Sequence, residues 1–212
     1  LSPLFPLVMK GVKSLKTFGE AGFHTLAAAR VTDRYPREAF AAGLRILGEG
    51  QLSLTKFLII TDGDIDIENF SSLWTHVLER VDWNKDLFVF NNTSQDTLDY
   101  TGPEVNKGSK AMLLGLGKES KRKLTNQFNG SLPPGCSAPV VFLPGTLVVQ
   151  GPDYVAQNEL AKQVAEHEDF KDFQVILFMV VFHSSPFMSP LTDRTLYGNL
   201  RNIPLSVAEY SF

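Results

Sequence analysis

The chain has 212 residues, 43% hydrophobic and 20% charged, with a net charge of −3 and a pI near 5.8. That balance supports a folded core and argues against disorder. No dense Lys/Arg cluster suggests a nucleic-acid surface, because the strongest basic run, Lys118 to Lys123, is interrupted by Glu119 and Ser120. Its single cysteine, Cys136, excludes an intrachain disulfide and fits a reducing, cytoplasmic setting. The most apolar run, Val175 to Phe182, is far shorter than the ~20 residues that span a bilayer, so no transmembrane segment is expected.

In chain order, Leu1 stands without an initiator Met or visible leader, so an excised or processed piece of a longer protein is expected. Pro3 and Pro6 make residues 1–12 an extended or one-turn lead-in. His24 to Thr32 predicts a strand, bounded by Gly22 and Asp33. Tyr35-Pro36-Arg37-Glu38 opens a helix that Ala39 to Leu52 continues, with Leu44, Ile46 and Leu47 on its buried face. The organising stretch follows, TKFLIITDGDID from Thr55 to Asp66. Phe57 to Ile60 is apolar without a polar break, so it predicts a central strand buried on both faces. Asp62, Asp64 and Asp66 stand where that strand leaves the sheet, with Gly63 permitting a tight turn. This edge is where open α/β sheets usually present chemistry. As a calcium loop DGDID lacks the closing Glu, which leaves a solvated turn or acids capping the next helix. Phe70, Leu73, Trp74, Val77, Leu78 and Val81 then recur at helical spacing.

After a polar turn at Asp82–Asp86, Leu87 to Phe90 reads as a third buried strand. The fold class is therefore α/β, a mostly parallel sheet flanked by helices with right-handed crossovers. Asn91 to Lys110 shows little periodicity, and so long an irregular loop is a functional suspect. The glycine-rich KGSKAMLLGLG neither follows a strand nor opens a helix, as a phosphate-binding motif requires. Lys118 to Pro134, ending in SLPPG, reads as a linker, giving domains 1–117 and 136–212 joined by 118–135. The second domain predicts strands at Val140–Leu143 and Leu147–Val149, a helix over Tyr154–His167, a buried strand at Val175–Val181 and a loop over Phe182–Pro190. VILFMVV followed by TDRTLYGNLRN faintly echoes FLIITD and the helix after it, so a degenerate duplicated unit is a further expectation. His24, His76, His167 and His183 share no metal-ligand spacing, and Cys136 has no neighbouring base. No catalytic or metal residue is assigned.

Several stretches taken together carry a family resemblance. RYPREAFAAGLRILGEGQLSLTKFLIITDGDID, then LWTHVLERVDWNKDLFVFNNTSQDTLDYT, then GSK, resembles the C-terminal domain of the UbiD family of prenylated-flavin-dependent decarboxylases. The shared positions include Tyr35-Pro36, Gly50-Gln51, Thr55-Lys56-Phe57, the acidic turn, Trp74, Arg80, Asp86 and Leu98-Asp99, over roughly residues 4 to 115. The resemblance implies a carboxy-lyase acting on aromatic acids such as a polyprenyl-hydroxybenzoate or a naphthoate in ubiquinone or menaquinone biosynthesis. It implies prenylated FMN, with Mn and K, in the full-length enzyme, and none of these in this chain alone. The catalytic residues would lie in an N-terminal flavin-binding domain, so the isolated chain should be inactive. The full enzyme would be a homo-oligomer, cytoplasmic, with a membrane association possible only through a lipophilic substrate. By the same resemblance Lys110 approaches the flavin phosphate, with Gly108 and Ser109 letting the backbone come close, although Leu113 to Leu116 replace the residues usual after that Lys. His24 and Thr25 match positions lining the substrate pocket, and the Asn91–Pro103 loop matches its mobile wall. The acids, Trp74 and Arg80 read as structural, Arg80 in an internal ion pair. A stand-alone binding or assembly module derived from the family is the alternative.

Overall fold

The computed structural model describes residues 5–99, 104–152, 160–181 and 194–200. The chain divides into two compact units, with the break between Arg122 and Lys123. In the first, a one-turn helix α1 (Phe5–Val8) leads into strand β1 (Val12–Thr17), followed by β2 (Leu26–Val31), α2 (Glu38–Gly48) and a 3-10 turn at Gly50–Leu54. Strand β3 (Phe57–Thr61), α3 (Phe70–Arg80), the short α4 (Trp83–Asp86), β4 (Leu87–Ser94) and β5 (Lys107–Gly115) complete it. The five strands lie in the order β1-β2-β3-β5-β4.

The apolar run at Phe57 lies at the middle of this sheet, as its lack of polar residues dictates. Strands β2, β3 and β5 are parallel, aligned so that Leu26, Phe57 and Ala111 stand side by side. Helix α2 crosses between β2 and β3 and buries Ile46 and Leu47 with Ala27, Ala29, Leu58, Ile60, Met112 and Leu114. It approaches closely because Gly43 has no side chain: a Cβ there would fall 2.1 Å from Met112 Sδ. Helix α3 comes equally close at β5, where a Cβ on Gly115 would fall 2.7 Å from the Val77 Cα. Its start is capped by Asn69, whose side chain accepts from Ser72 N, so the acids before it are not the cap.

The sheet is mixed: the outer pairings, β1 with β2 and β4 with β5, are antiparallel. Three elements differ from the sequence expectations. Strand β1 begins at the last residue of what read as lead-in and runs beyond it; its VKSLKT carries two lysines, which suit an edge strand. Strand β4 is an edge strand, only half-buried, rather than a third strand covered on both faces. The glycine-rich KGSKAMLLG is itself β5, and together β4 and β5 absorb both ends of the expected 91–110 loop, leaving residues 95–106 between them.

The second unit holds β6 (Ser137–Leu143), β7 (Thr146–Gly151), α5 (Leu160–Glu166), β8 (Val175–Val181) and β9 (Arg194–Leu200), in the order β6-β7-β8-β9. Gly145, at φ 77, makes the β6–β7 hairpin turn. Only β7 and β8 are parallel, joined through α5, with Leu147, Val149, Val164, Phe170, Phe173 and Ile176 between the layers. The helix expected in TDRTLYGNLRN is the strand β9, so the echo fails at that point. A closer topological likeness is between β1-β2-α2-β3 and β6-β7-α5-β8, each an antiparallel pair followed by a parallel crossover. The first part of the expected 154–167 helix and the whole 182–190 loop lie outside the described residues.

Candidate functional site at the strand-start edge

Parallel strands give the central sheet two unlike edges. The acids of DGDID sit where β3 ends, and each has a partner within the chain. Asp62 Oδ1 accepts from Gly117 N at 2.9 Å, Asp64 pairs with Arg30 at 2.7 Å, and Asp66 Oδ1 accepts from Glu68 N at 2.9 Å. Gly63 is required there because a Cβ would meet the His76 ring at 2.5 Å. Burial, and after it the Arg80 charge, holds the His76 pKa below its ordinary value. Arg80 itself pairs with Glu79 at 2.8 Å and donates to Gly117 O at 2.9 Å, fastening α3 to the turn after β5. Trp74 stacks on Phe70 at 5.9 Å. Among the described residues no group of three or more His, Cys, Asp or Glu could hold a metal ion.

The residues singled out by resemblance gather at the opposite edge, where β2, β3 and β5 begin. The backbone there is zipped: Phe57 N donates to Thr25 O at 2.8 Å, Lys56 N to His24 O at 3.2 Å, and Ala111 N to Lys56 O at 2.8 Å. Residues 95–99 and 104–106, after β4 and before β5, are tied down at several points. Gln95 N donates to Asn106 O at 3.0 Å and Asn106 Nδ2 to Gln95 O at 2.9 Å. Asp96 pairs with His24, and Asp99 with Lys56 at 2.9 Å. The sequence left Asp96 and Gln95 unassigned and gave Lys56 and Asp99 no role beyond family likeness. His24 and Asp96 are 72 positions apart, and only their charges and the start of a strand hinted at a partnership.

Lys110, Ser109 and Gly108 are all here, yet each is engaged internally. The Lys110 ammonium, on a residue 6% exposed, donates to Ser53 O and to Thr55 O at 3.1 Å. Burial lowers its pKa below 10.5, nearby Lys56 lowers it further, and Asp99 opposes the shift. Ser109 Oγ donates to Asn91 Oδ1 at 3.1 Å. Gly108 is explained by Gln95, whose Cγ would lie 2.7 Å from a Cβ and whose Nε2 donates to Ser109 O at 2.7 Å. As arranged, these three residues do not fit a phosphate cradle: the one cation among them faces carbonyls inside the fold. Lys110 is a strut joining β5 to the turn before β3.

What this edge offers outward is different. His24 has a side chain 42% exposed and Thr25 is exposed, and the same edge carries two apolar residues with surface open to solvent, Phe57 at 37% and Leu98 at 72%. A polar pair fixed by a hydrogen bond, on an edge that also carries partly exposed apolar side chains, supplies the orienting polar groups and the apolar wall that line one side of a small-molecule site.

The comparisons with known proteins bear on this edge. The model of the 3-octaprenyl-4-hydroxybenzoate carboxy-lyase C-terminal domain matches residues 1–115. A Chlamydia pneumoniae protein named as a subunit of 4-hydroxybenzoate decarboxylase is 46% identical over 84% of this chain and 30% of its own length. An uncharacterized Chlamydia trachomatis protein is 56% identical over 71% of this chain and 26% of its own. The chain thus spans between a quarter and a third of the length of these relatives. Among solved structures, the Sedimentibacter hydroxybenzoicus vanillic acid decarboxylase in its closed form matches with TM-score 0.50 and 15% identity, over 78% of this chain and 31% of that one. This last likeness is one of fold. The family match covers more than half of the chain, including every residue of the strand-start edge, and the chain accordingly belongs to the UbiD family as a carboxy-lyase C-terminal domain.

Proposed function

We propose that the strand-start edge is one wall of the substrate site in a non-oxidative decarboxylase acting on aromatic acids of the hydroxybenzoate class. The observation that carries this reading is the half-exposed His24, held by Asp96 on an edge that also carries the partly exposed Phe57 and Leu98. The name of the Chlamydia pneumoniae relative supports the reaction and the acid class. Polyprenyl-hydroxybenzoates and naphthoates on the way to quinones fall within that class. The opposite wall is supplied by a flavin-binding domain of the same protein, and the complete enzyme is a homo-oligomer.

Prenylated FMN, when bound, supplies the electron sink that makes loss of carbon dioxide from an aromatic ring feasible. This chain binds the ring against Phe57 and Leu98, orients it through His24, and excludes water when the second wall closes over it. Lys110, Ser109 and Gly108 serve the cofactor indirectly, by holding the start of β5 and Gln95 in place.

The test is carbon dioxide release from 4-hydroxybenzoate by the complete gene product reconstituted with prenylated flavin. Release by the complete protein and none by the 212-residue chain is the expected result. A complete protein that holds the flavin and releases no carbon dioxide from any aromatic acid offered overturns the reading, and so does turnover by the isolated chain.

A further inference from the structure

Asp96 is held by more than His24. Its Oδ1 accepts from the Leu98 backbone N–H at 3.0 Å and from the Thr97 hydroxyl at 3.4 Å, while Oδ2 faces His24 Nδ1. These contacts, the His24 bond foremost, keep the Asp96 carboxyl below the ordinary carboxylate range. At neutral pH it is an anion, and an ionised carboxylate only accepts hydrogen bonds. The ring nitrogen that faces it must therefore carry hydrogen. In the neutral imidazole this leaves Nε2 as a bare acceptor. Among the described residues the His24 ring has no other hydrogen-bond partner.

We propose that Asp96 is a positioning residue that makes His24 a specificity determinant. By fixing the tautomer, it presents Nε2 as an acceptor for a ring hydroxyl, so the site selects phenolic over unhydroxylated aromatic acids. This rests on reading the edge as the wall of an aromatic-acid pocket. The chemistry distinguishes the two ends of such a substrate. A carboxylate has no hydrogen to give, so the bare Nε2 repels it, and the Asp96 charge behind the ring adds to the repulsion. A phenol donates one hydrogen bond while its ring lies on the apolar side chains of Phe57 and Leu98. Lys56 pairs with Asp99 and Lys110 donates to backbone carbonyls, so neither ammonium competes for the hydroxyl.

The experiment measures calorimetric binding of 4-hydroxybenzoate and benzoate to the complete, flavin-loaded protein at pH 8, together with histidine-selective 15N NMR assigned through His24→Gln. The wild type is expected to bind 4-hydroxybenzoate on the order of tenfold more tightly than benzoate, the worth of one net hydrogen bond. NMR should show hydrogen on Nδ1 and none on Nε2. Asp96→Asn, whose amide NH2 can donate to Nδ1 and stabilise the opposite tautomer, should abolish the preference while keeping benzoate affinity. Asp96→Glu should restore part of it, and His24→Gln should lower it. Binding of neither acid by the wild type defeats the pocket reading and this inference with it. Equal binding of both acids, a preference that survives Asp96→Asn, or hydrogen on Nε2 defeats the inference alone.

Discussion

Lys110→Met separates a structural strut from a cofactor contact. Met keeps the length of the side chain and removes the charge, leaving Ser53 O and Thr55 O without their donor at a position 6% exposed. A hydrogen bond from a charged group contributes about 1.5 to 3 kcal/mol, and two are lost. Relief from burying an ammonium offsets part of this. The net expectation is a loss of about 3 kcal/mol. Both tryptophans, Trp74 and Trp83, lie in the first unit, so urea unfolding followed by tryptophan fluorescence reads that unit directly. The pH dependence supplies a second, independent sign. The folded pKa of Lys110 lies below 10.5, so the unfolded chain binds the proton more tightly and stability rises with pH across the window beneath 10.5. Lys110→Met should lose that slope. A variant that unfolds at the wild-type urea concentration, with the wild-type pH slope, would refute the strut and return Lys110 to the cofactor.

Other expectations follow from close approach and burial. Gly115→Ala sets a Cβ 2.7 Å from the Val77 Cα, which a rotamer change cannot relieve, and should cost about 2 to 3 kcal/mol in the same urea assay. Gly48→Ala, with nothing within 4 Å, is its control and should be neutral or gain up to about 1 kcal/mol. His76, held neutral by burial, has a folded pKa below 6.5, so the unfolded chain takes up its proton first and stability falls as pH drops through that window. Urea midpoints at pH 7 and pH 5 should differ less in His76→Gln than in the wild type. Asp64→Asn, at a fully exposed carboxylate paired with Arg30, should leave the midpoint unchanged.

Legibility in the sequence followed burial. Phe57–Thr61 and Val175–Val181 are read almost to the residue, because each is an apolar run without a polar break and lies between two other strands of its sheet. Strand β5 was hidden because its first residues, Lys107 to Lys110, are polar and glycine-bearing, and Gly115 looks like a turn until Val77 is seen pressed against it. Strand β4 was legible as a strand but not as an edge, since LFVF carries none of the charges or prolines that mark one. At the site, the residues that family likeness marks, His24, Thr25, Gly108, Ser109 and Lys110, share one edge, while the acids that follow the central strand stand at the other. What could not be read was orientation. Whether the Lys110 ammonium faces inward or outward depends on carbonyls 57 and 55 positions away, and no local pattern encodes that.

On the function proposed above, the substrate meets the edge where the parallel strands begin and not the acidic turn where β3 ends. The direct measurement is kcat/KM for 4-hydroxybenzoate decarboxylation by the complete, flavin-loaded protein carrying either His24→Gln with Phe57→Ala or Asp64→Asn with Asp66→Asn. The first pair should lower kcat/KM by at least about tenfold, the equivalent of one lost hydrogen bond, and the second should leave it unchanged. Full activity with the first pair, or its loss with the second while the protein remains folded, would contradict the account.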